Sequence, residues 1–237
     1  MNLFILDQVS CLTYGQTMRF SDLVNTLEAN GFFESVLKSK IGSVKQEILS
    51  SKFLFPEATG RGYLADAEYL AEQGALKFIV GLAPQLAQRG VHLPVVSVPR
   101  RPLKIRDPKT GEIIEVNHFK LQADDSIPDK PGITYLRPVK EELPESGEFY
   151  RVVIGSRVQE IWNNQFSPEQ YWEAGMCHTF ILVNQLLQDA GAQERIYGLY
   201  GGNDGYAVFL TPAQFKLIRE CEDIKDSYKP WEAYIVK

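Results

Sequence analysis

The chain has 237 residues, 44% of them hydrophobic, 23% charged and 11% aromatic, with 18 glycines and 13 prolines. These values exclude a disordered chain, a collagen-like repeat and a long coiled coil, and the length supports one large domain or two small ones. The 25 lysines and arginines are outnumbered by 30 aspartates and glutamates, and the net charge of −5 argues against a dedicated duplex-DNA binder.

Only residues 3–6 are apolar near the start, and Asp7 precedes any basic residue, so neither a secretory leader nor a membrane span is expected. Residues 18–97 read as mostly helical. Ser21 is the expected N-cap of a first helix, with Leu23, Val24 and Leu27 at core spacing and Gly31 as its stop. Phe32, Phe33, Val36 and Leu37 begin a second short helix that ends near Gly42, and Ser43 opens a third. After Pro56 and the turn at Gly60 and Gly62, residues 64–89 read as two or three helical pieces. Gly74, Gly81 and Pro84 rule out one unbroken helix there.

The texture changes at Leu93. Val95, Val96 and Val98 alternate with prolines, and residues 103–116 read as a β-hairpin turning at Asp107-Pro108-Lys109-Thr110-Gly111. Residues 122–132 are polar and proline-rich, the expected linker. Residues 150–154 read as a strand. Ser167-Pro168-Glu169-Gln170 carries a serine cap, proline at the first helical position and glutamine two residues later, so a helix runs from there to Gly191. Residues 195–200 and 206–210 are two strands joined by a loop from Gly201 to Gly205. Thr211-Pro212-Ala213-Gln214 starts a second helix, and residues 231–236 close as a strand. The expected fold class is α+β. It comprises a helical N-terminal region (1–97), a β-hairpin-rich middle (98–148) and a C-terminal module (149–237) in β-α-β-β-α-β order, the order of a ferredoxin-like fold.

Cys11, Cys177 and Cys221 are odd in number and widely spaced, which is neither a disulfide framework nor a zinc pattern and suits a reducing, cytoplasmic setting. His92, His118 and His178 stand apart from one another, so no metal or cofactor is expected. The sharpest chemical motif is Gly175-Met176-Cys177-His178-Thr179-Phe180. A thiol near a helix N-terminus is acidified by the helix dipole and becomes a nucleophile when a base approaches.

With the residues C-terminal to it, this motif resembles the core of transglutaminase-like, papain-related enzymes. In that family G-x-C precedes an apolar helix, a helix-ending glycine, a strand and a histidine-bearing strand. Gly175, Cys177, Leu186, Leu187, Gly191, Arg195, Gly198 and Tyr206-Ala207-Val208 would fill those slots. The resemblance implies that Cys177 is catalytic. Tyr206, however, stands where the family carries its histidine, and a tyrosine of ordinary pKa is no base at neutral pH. The alternative is that Cys177 is a small buried hydrophobe.

Other motifs point to binding. Thr59-Gly60-Arg61-Gly62 precedes a predicted helix, where backbone N–H groups and Arg61 would cradle an anion. Arg100, Arg101, Lys104, Arg106 and Lys109 gather positive charge on one hairpin, either to contact nucleic acid or an acidic protein surface, or to protect a strand edge. Glu141, Glu142, Glu145 and Glu148 form an acidic counterpart. Trp162, beside Asn163-Asn164 in a predicted loop, is a candidate binding hot spot, with core packing as the alternative. The expectation is a non-enzymatic cytoplasmic protein that binds or regulates a protein partner, as an inhibitor, an immunity-like protein or an assembly component does. A cysteine enzyme centred on Cys177 and a nucleic-acid contact through the hairpin around Arg100 are the alternatives.

Overall fold

The computed structural model describes residues 18–100, 102–106, 109–116 and 119–236. Helix α1 (Phe20–Ala29) turns Phe20, Leu23, Val24 and Leu27 inward, and its N-cap is Arg19, so Ser21 lies inside the first turn. Gly31, at φ +76°, ends it with the left-handed conformation that favours glycine. The predicted short helix from Phe32 to near Gly42 is a run of turns followed by a single 3-10 turn (Lys38–Lys40), although Phe32, Phe33 and Val36 are buried. Helix α2 (Ile41–Ser51) includes Gly42 and Ser43.

Gly62–Leu64, read from sequence as the approach to a helix, is strand β1. The segment after it breaks up as the glycines require. It runs through α3 (Ala67–Tyr69), a π-type turn (Leu70–Gly74), α4 (Ala75–Gly81) and α5 (Ala83–Ala87). A Cβ on Gly74 would lie 2.3 Å from the Tyr69 carbonyl oxygen, so the wide turn needs glycine there.

The middle of the chain is a two-stranded ribbon. Strand β2 (Val95–Pro99) pairs with β5 (Phe119–Ala123), and β3 (Leu103–Arg106) pairs with β4 (Ile113–Val116), all antiparallel. At its base Val95, Leu121 and Ala123 pack on the core, whereas Ile113 and Phe119 are 63% and 65% exposed. A second sheet has the order β6-β7-β8, from β6 (Val139–Glu142), β7 (Phe149–Ile154) and β8 (Arg157–Asn163). Helix α6 (Pro168–Asp189) then leads to β9 (Arg195–Leu199), β10 (Tyr206–Leu210) and α7 (Pro212–Glu220).

Strands β9, β10 and β1 form a third sheet of order β1-β10-β9, with Gly62 opposite Val208. Period-two alternation assigns its two faces to two cores. Ile196, Ala207 and Phe209 join Leu70, Ile79, Phe180 and Leu187 on one side. Tyr197, Leu199, Val208 and Leu210 join Leu23, Leu27, Phe32, Ile48 and Ile218 on the other. Apolar runs such as Val208-Phe209-Leu210 thus reflect a strand buried on both faces.

The protein is α+β. Its C-terminal elements depart from the predicted order by an additional strand, β8, between the first strand and α6, and they do not share the single sheet of a ferredoxin-like module. β7 is hydrogen-bonded to β6 and β8, whereas β9 and β10 pair with each other and β10 also with β1. Residues 231–236 are not a strand, and among the described residues the one bridge there joins Trp231 to Gly198. The reason is local: Gly155, at φ +60°, turns the chain straight from β7 into β8, so both edges of β7 are occupied before α6 begins. Among the described residues no helix is long and apolar enough to cross a membrane.

Candidate functional site

Helix α6 starts where its cap chemistry places it, with the Ser167 N–H donating to Gln170 Oε1 at 2.9 Å. From that start, Glu169, Trp172, Glu173 and Met176 fall at i, i+3, i+4 and i+7 and share one helix face. They form one wall of a cleft of about 870 Å³ whose other wall is Tyr200, Gly201, Gly202 and residues from Asp226 to Tyr234.

Trp231 fastens the second wall. Its N–H donates to the Gly198 carbonyl at 2.8 Å, its carbonyl accepts from the Gly198 N–H at 2.9 Å, and its indole N–H donates to Tyr200 O at 3.1 Å. The indole ring lies so close over Gly198 that a Cβ there would come within 2.2 Å of it. Across the cleft the Tyr234 hydroxyl donates to the Glu173 carboxylate, and this acceptor pushes the Tyr234 phenol up to about 12. The cleft is walled by aromatic rings, of which Trp172 is 43% and Tyr234 52% exposed. Among the described residues that line it, Glu169, Glu173, Asp226 and Glu232 stand against the cation Lys229, whose ammonium lies 3.1 Å from Asp226.

Cys177 lies at the floor of this cleft and is 1% exposed, packed with Ala174 and Val236 beneath Phe166, Trp231 and Ala233. Burial pushes its thiol up, and the Glu173 carboxylate adds to that effect, against an opposing pull from the Tyr234 backbone N–H. It sits mid-helix, away from the positive end of the dipole. His178 is buried and fully engaged. Its Nδ1 is 2.8 Å from the Ile161 carbonyl oxygen, and its Nε2 accepts from the Val236 N–H at 3.2 Å. Both ring nitrogens are thus occupied by backbone groups. Tyr206 belongs to the other core, where its ring lies over Gly62 and 6.5 Å from that of Phe53.

His178, held by Ile161 and Val236, and Tyr206, in the other core, are therefore not available to Cys177 as its base. Gly175 has a packing role, and Gly191 ends the helix as expected. A Cβ on Gly175 would come within 2.8 Å of the Ala71 amide nitrogen where α6 meets the π-type turn, and Gly191, at φ +70°, ends α6. In the native protein at neutral pH, Cys177 and Cys221 should both react with iodoacetamide more slowly than an exposed thiol and become labelled on unfolding. Peptide mass mapping reads the two sites separately, and fast native labelling of Cys177 would contradict its burial.

Arg61 already has its guanidinium occupied within the protein. It is 5% exposed, and it leads into strand β1, so no helix N-terminus stands behind it. Its Nε donates to Phe32 O at 2.6 Å, Nη2 to Gly31 O at 3.1 Å, and Nη1 to Phe209 O at 2.9 Å and to the Glu194 carboxylate. The other Glu194 oxygen accepts from Arg89 Nε at 2.6 Å, and the Arg89 guanidinium lies 4.2 Å from the centre of the Phe209 ring.

Trp162 is likewise not an exposed hot spot in a loop. It lies in β8, half-buried, with its indole N–H donating to Ala71 O at 2.7 Å and its ring 5.3 Å from that of Tyr171. Of the basic hairpin, Arg100 is exposed and lines a groove of about 860 Å³ with Lys77, Lys120 and Glu141. In the register of β3 and β4, Lys104 stands opposite Glu115 and Arg106 opposite Ile113. Arg101 lies outside the described residues, as do Cys11, His118 and the Asp107-Pro108 part of the turn.

The cleft itself was not found from sequence. The spacing of Glu169, Trp172, Glu173 and Met176 marks a shared face, but nothing local says that residues 226–234 lie across from it. Among the described residues no group of histidine, cysteine, aspartate and glutamate is arranged to hold a metal ion. No protein-family model, curated protein or solved structure matches the chain.

Proposed function

We propose that this chain is a cytoplasmic binding protein that engages a protein partner through the cleft between α6 and residues 226–234, regulating it as an inhibitor or immunity-like protein does, or joining it in an assembly. The observation that carries this reading is the pairing of exposed aromatic rings, Trp172 and Tyr234, with a concave surface. Tryptophan and tyrosine dominate binding hot spots because they bury large rigid areas at low entropic cost. The burial of Cys177 at the cleft floor, which raises its thiol and keeps it from acting as a thiolate, favours binding over chemistry there.

The test is recovery of a near-stoichiometric partner with the tagged chain from its native cell, compared with Trp172→Ala and Tyr234→Ala. Each truncation should weaken retention by about tenfold or more, the range of a hot-spot residue. Full retention by both variants, or no partner at all, overturns the reading.

One observation favours a second reading: Lys77, Arg100 and Lys120 converge on a single groove, as a nucleic-acid contact requires. In that case binding to RNA or DNA should fall steeply with salt and with Arg100→Glu. Under the first reading, Arg100→Glu leaves the partner bound.

A further inference from the structure

We infer that the cleft receives an arginine side chain of the protein partner, its guanidinium taken by the aromatic walls and its charge met by Glu173 and Glu232; this rests on the reading that the cleft binds a protein. Three observations converge on a planar cation.

The first is charge. Lys229 is engaged by Asp226 at 3.1 Å. Glu169 lies in the first turn of α6, where its own backbone N–H and the Ser167 hydroxyl hold its carboxyl below the usual range. Glu173 and Glu232 have no cationic partner among the described residues, and the hydrogen bond made to Glu173 comes from the neutral phenol of Tyr234. The Glu173 charge is felt within the site, since it raises both Tyr234 and Cys177. An anionic ligand would be repelled.

The second is the lining. The indole N–H of Trp231 is spent on Tyr200 O, so what Trp231 offers the cleft is ring surface. A ring face attracts a cation through its quadrupole, most strongly for tryptophan.

The third is that the protein builds the same arrangement elsewhere, both buried and at its surface, and fills each instance with arginine. Arg89 lies 4.2 Å from the Phe209 ring centre and binds Glu194, and Arg61 lies 4.8 Å from that of Phe32 and binds the same carboxylate. Arg151 lies 4.0 Å from that of Phe149 and donates to Glu160 at 2.7 Å. The cleft repeats the ring and the carboxylate, with no arginine among its described lining residues. Guanidinium suits this pairing better than ammonium because it is planar, stacks on rings and meets carboxylates with two parallel hydrogen bonds.

The experiment tracks the indole N–H signals of the three tryptophans by NMR, assigned by single Trp→Phe variants, during titration with acetyl-Gly-Arg-Gly-amide. Trp172 and Trp231, whose rings line the cleft, should shift saturably, while Trp162, which does not line it, stays in place. Replacing arginine by citrulline, which keeps the shape and removes the charge, should weaken binding by about tenfold or more, as should the double variant Glu173→Gln, Glu232→Gln. Equal binding of the citrulline peptide, or no shift with the arginine peptide, overturns the inference. If acetyl-Gly-Leu-Gly-amide moves Trp172 and Trp231 and the arginine peptide does not, the arginine assignment falls while the cleft remains a peptide site. Loss of the native partner in Trp172→Ala judges the underlying reading separately.

Discussion

Glu194→Ala should lower the free energy of unfolding by about 2–4 kcal/mol, somewhat below the cost of breaking a fully buried ion pair because the glutamate retains some exposure. Among the described residues, Glu194 is the only carboxylate bonded to the buried guanidinium of Arg61, and it is shared with Arg89. Removing it leaves the Arg61 charge facing the carbonyls of Gly31, Phe32 and Phe209, which accept hydrogen bonds but do not neutralise it. Those carbonyls come from the end of α1 and from β10, so the loss is felt where the N-terminal helices meet the central sheet. Urea denaturation reads the change directly. In a thermal scan it should appear as a drop of roughly 5–15 °C for a chain of this size. Glu194→Gln keeps hydrogen-bonding capacity without the charge and should fall between the two. A Glu194→Ala protein within about 0.5 kcal/mol of the parent, the usual range for an ordinary surface change, would show that the network contributes little.

Gly198→Val should have the second large effect, and two separable ones. A Cβ at this position would stand 2.2 Å from the Trp231 ring, inside any permissible contact, so either the strand or the indole must move. Overpacking of this kind costs about 1–3 kcal/mol. A consequence beyond stability arises because of the segment that Trp231 holds down. If the indole is displaced, residues 231–236 lose their backbone bridge to β9, and the cover over Cys177 and the Val236 N–H bond to His178 go with it. Iodoacetamide labelling of Cys177 should therefore accelerate while that of Cys221, in the opposite core, does not. Unchanged stability together with equal labelling of the two cysteines would mean that Trp231 does not fasten this segment.

What was legible in the sequence was whatever is decided within a few residues. The starts of α6 and α7 are set by Ser167-Pro168 with Gln170 and by Thr211-Pro212 with Gln214, because cap hydrogen bonds span only three positions. The β9–β10 hairpin was equally plain from its glycine-rich loop and flanking apolar runs. Strand β1 was not, because Gly62–Leu64 has no strand character of its own and becomes a strand by pairing with Tyr206–Val208. Arg61 was visible as a cation among glycines, but the groups that occupy it come from residues 31, 32, 194 and 209. The cleft failed to show for the same reason. One wall is a periodic helix face, the other an irregular segment placed by contacts with β9, Tyr200 and α6 that are distant in sequence.

The pairing of β1 with β10 also bears on how the chain is made. Residues 62–64 leave the ribosome long before residues 206–208 exist, so the central sheet cannot be completed until most of the chain has been synthesised. Until then Leu23, Leu27, Phe32 and Phe55 lack the strand face that covers them, and Leu70, Ile79 and Phe180 lack the opposite one. A nascent chain halted before Tyr206 therefore exposes two apolar surfaces at once, and a chaperone that shields such surfaces has its longest task on this protein just before the last hairpin emerges.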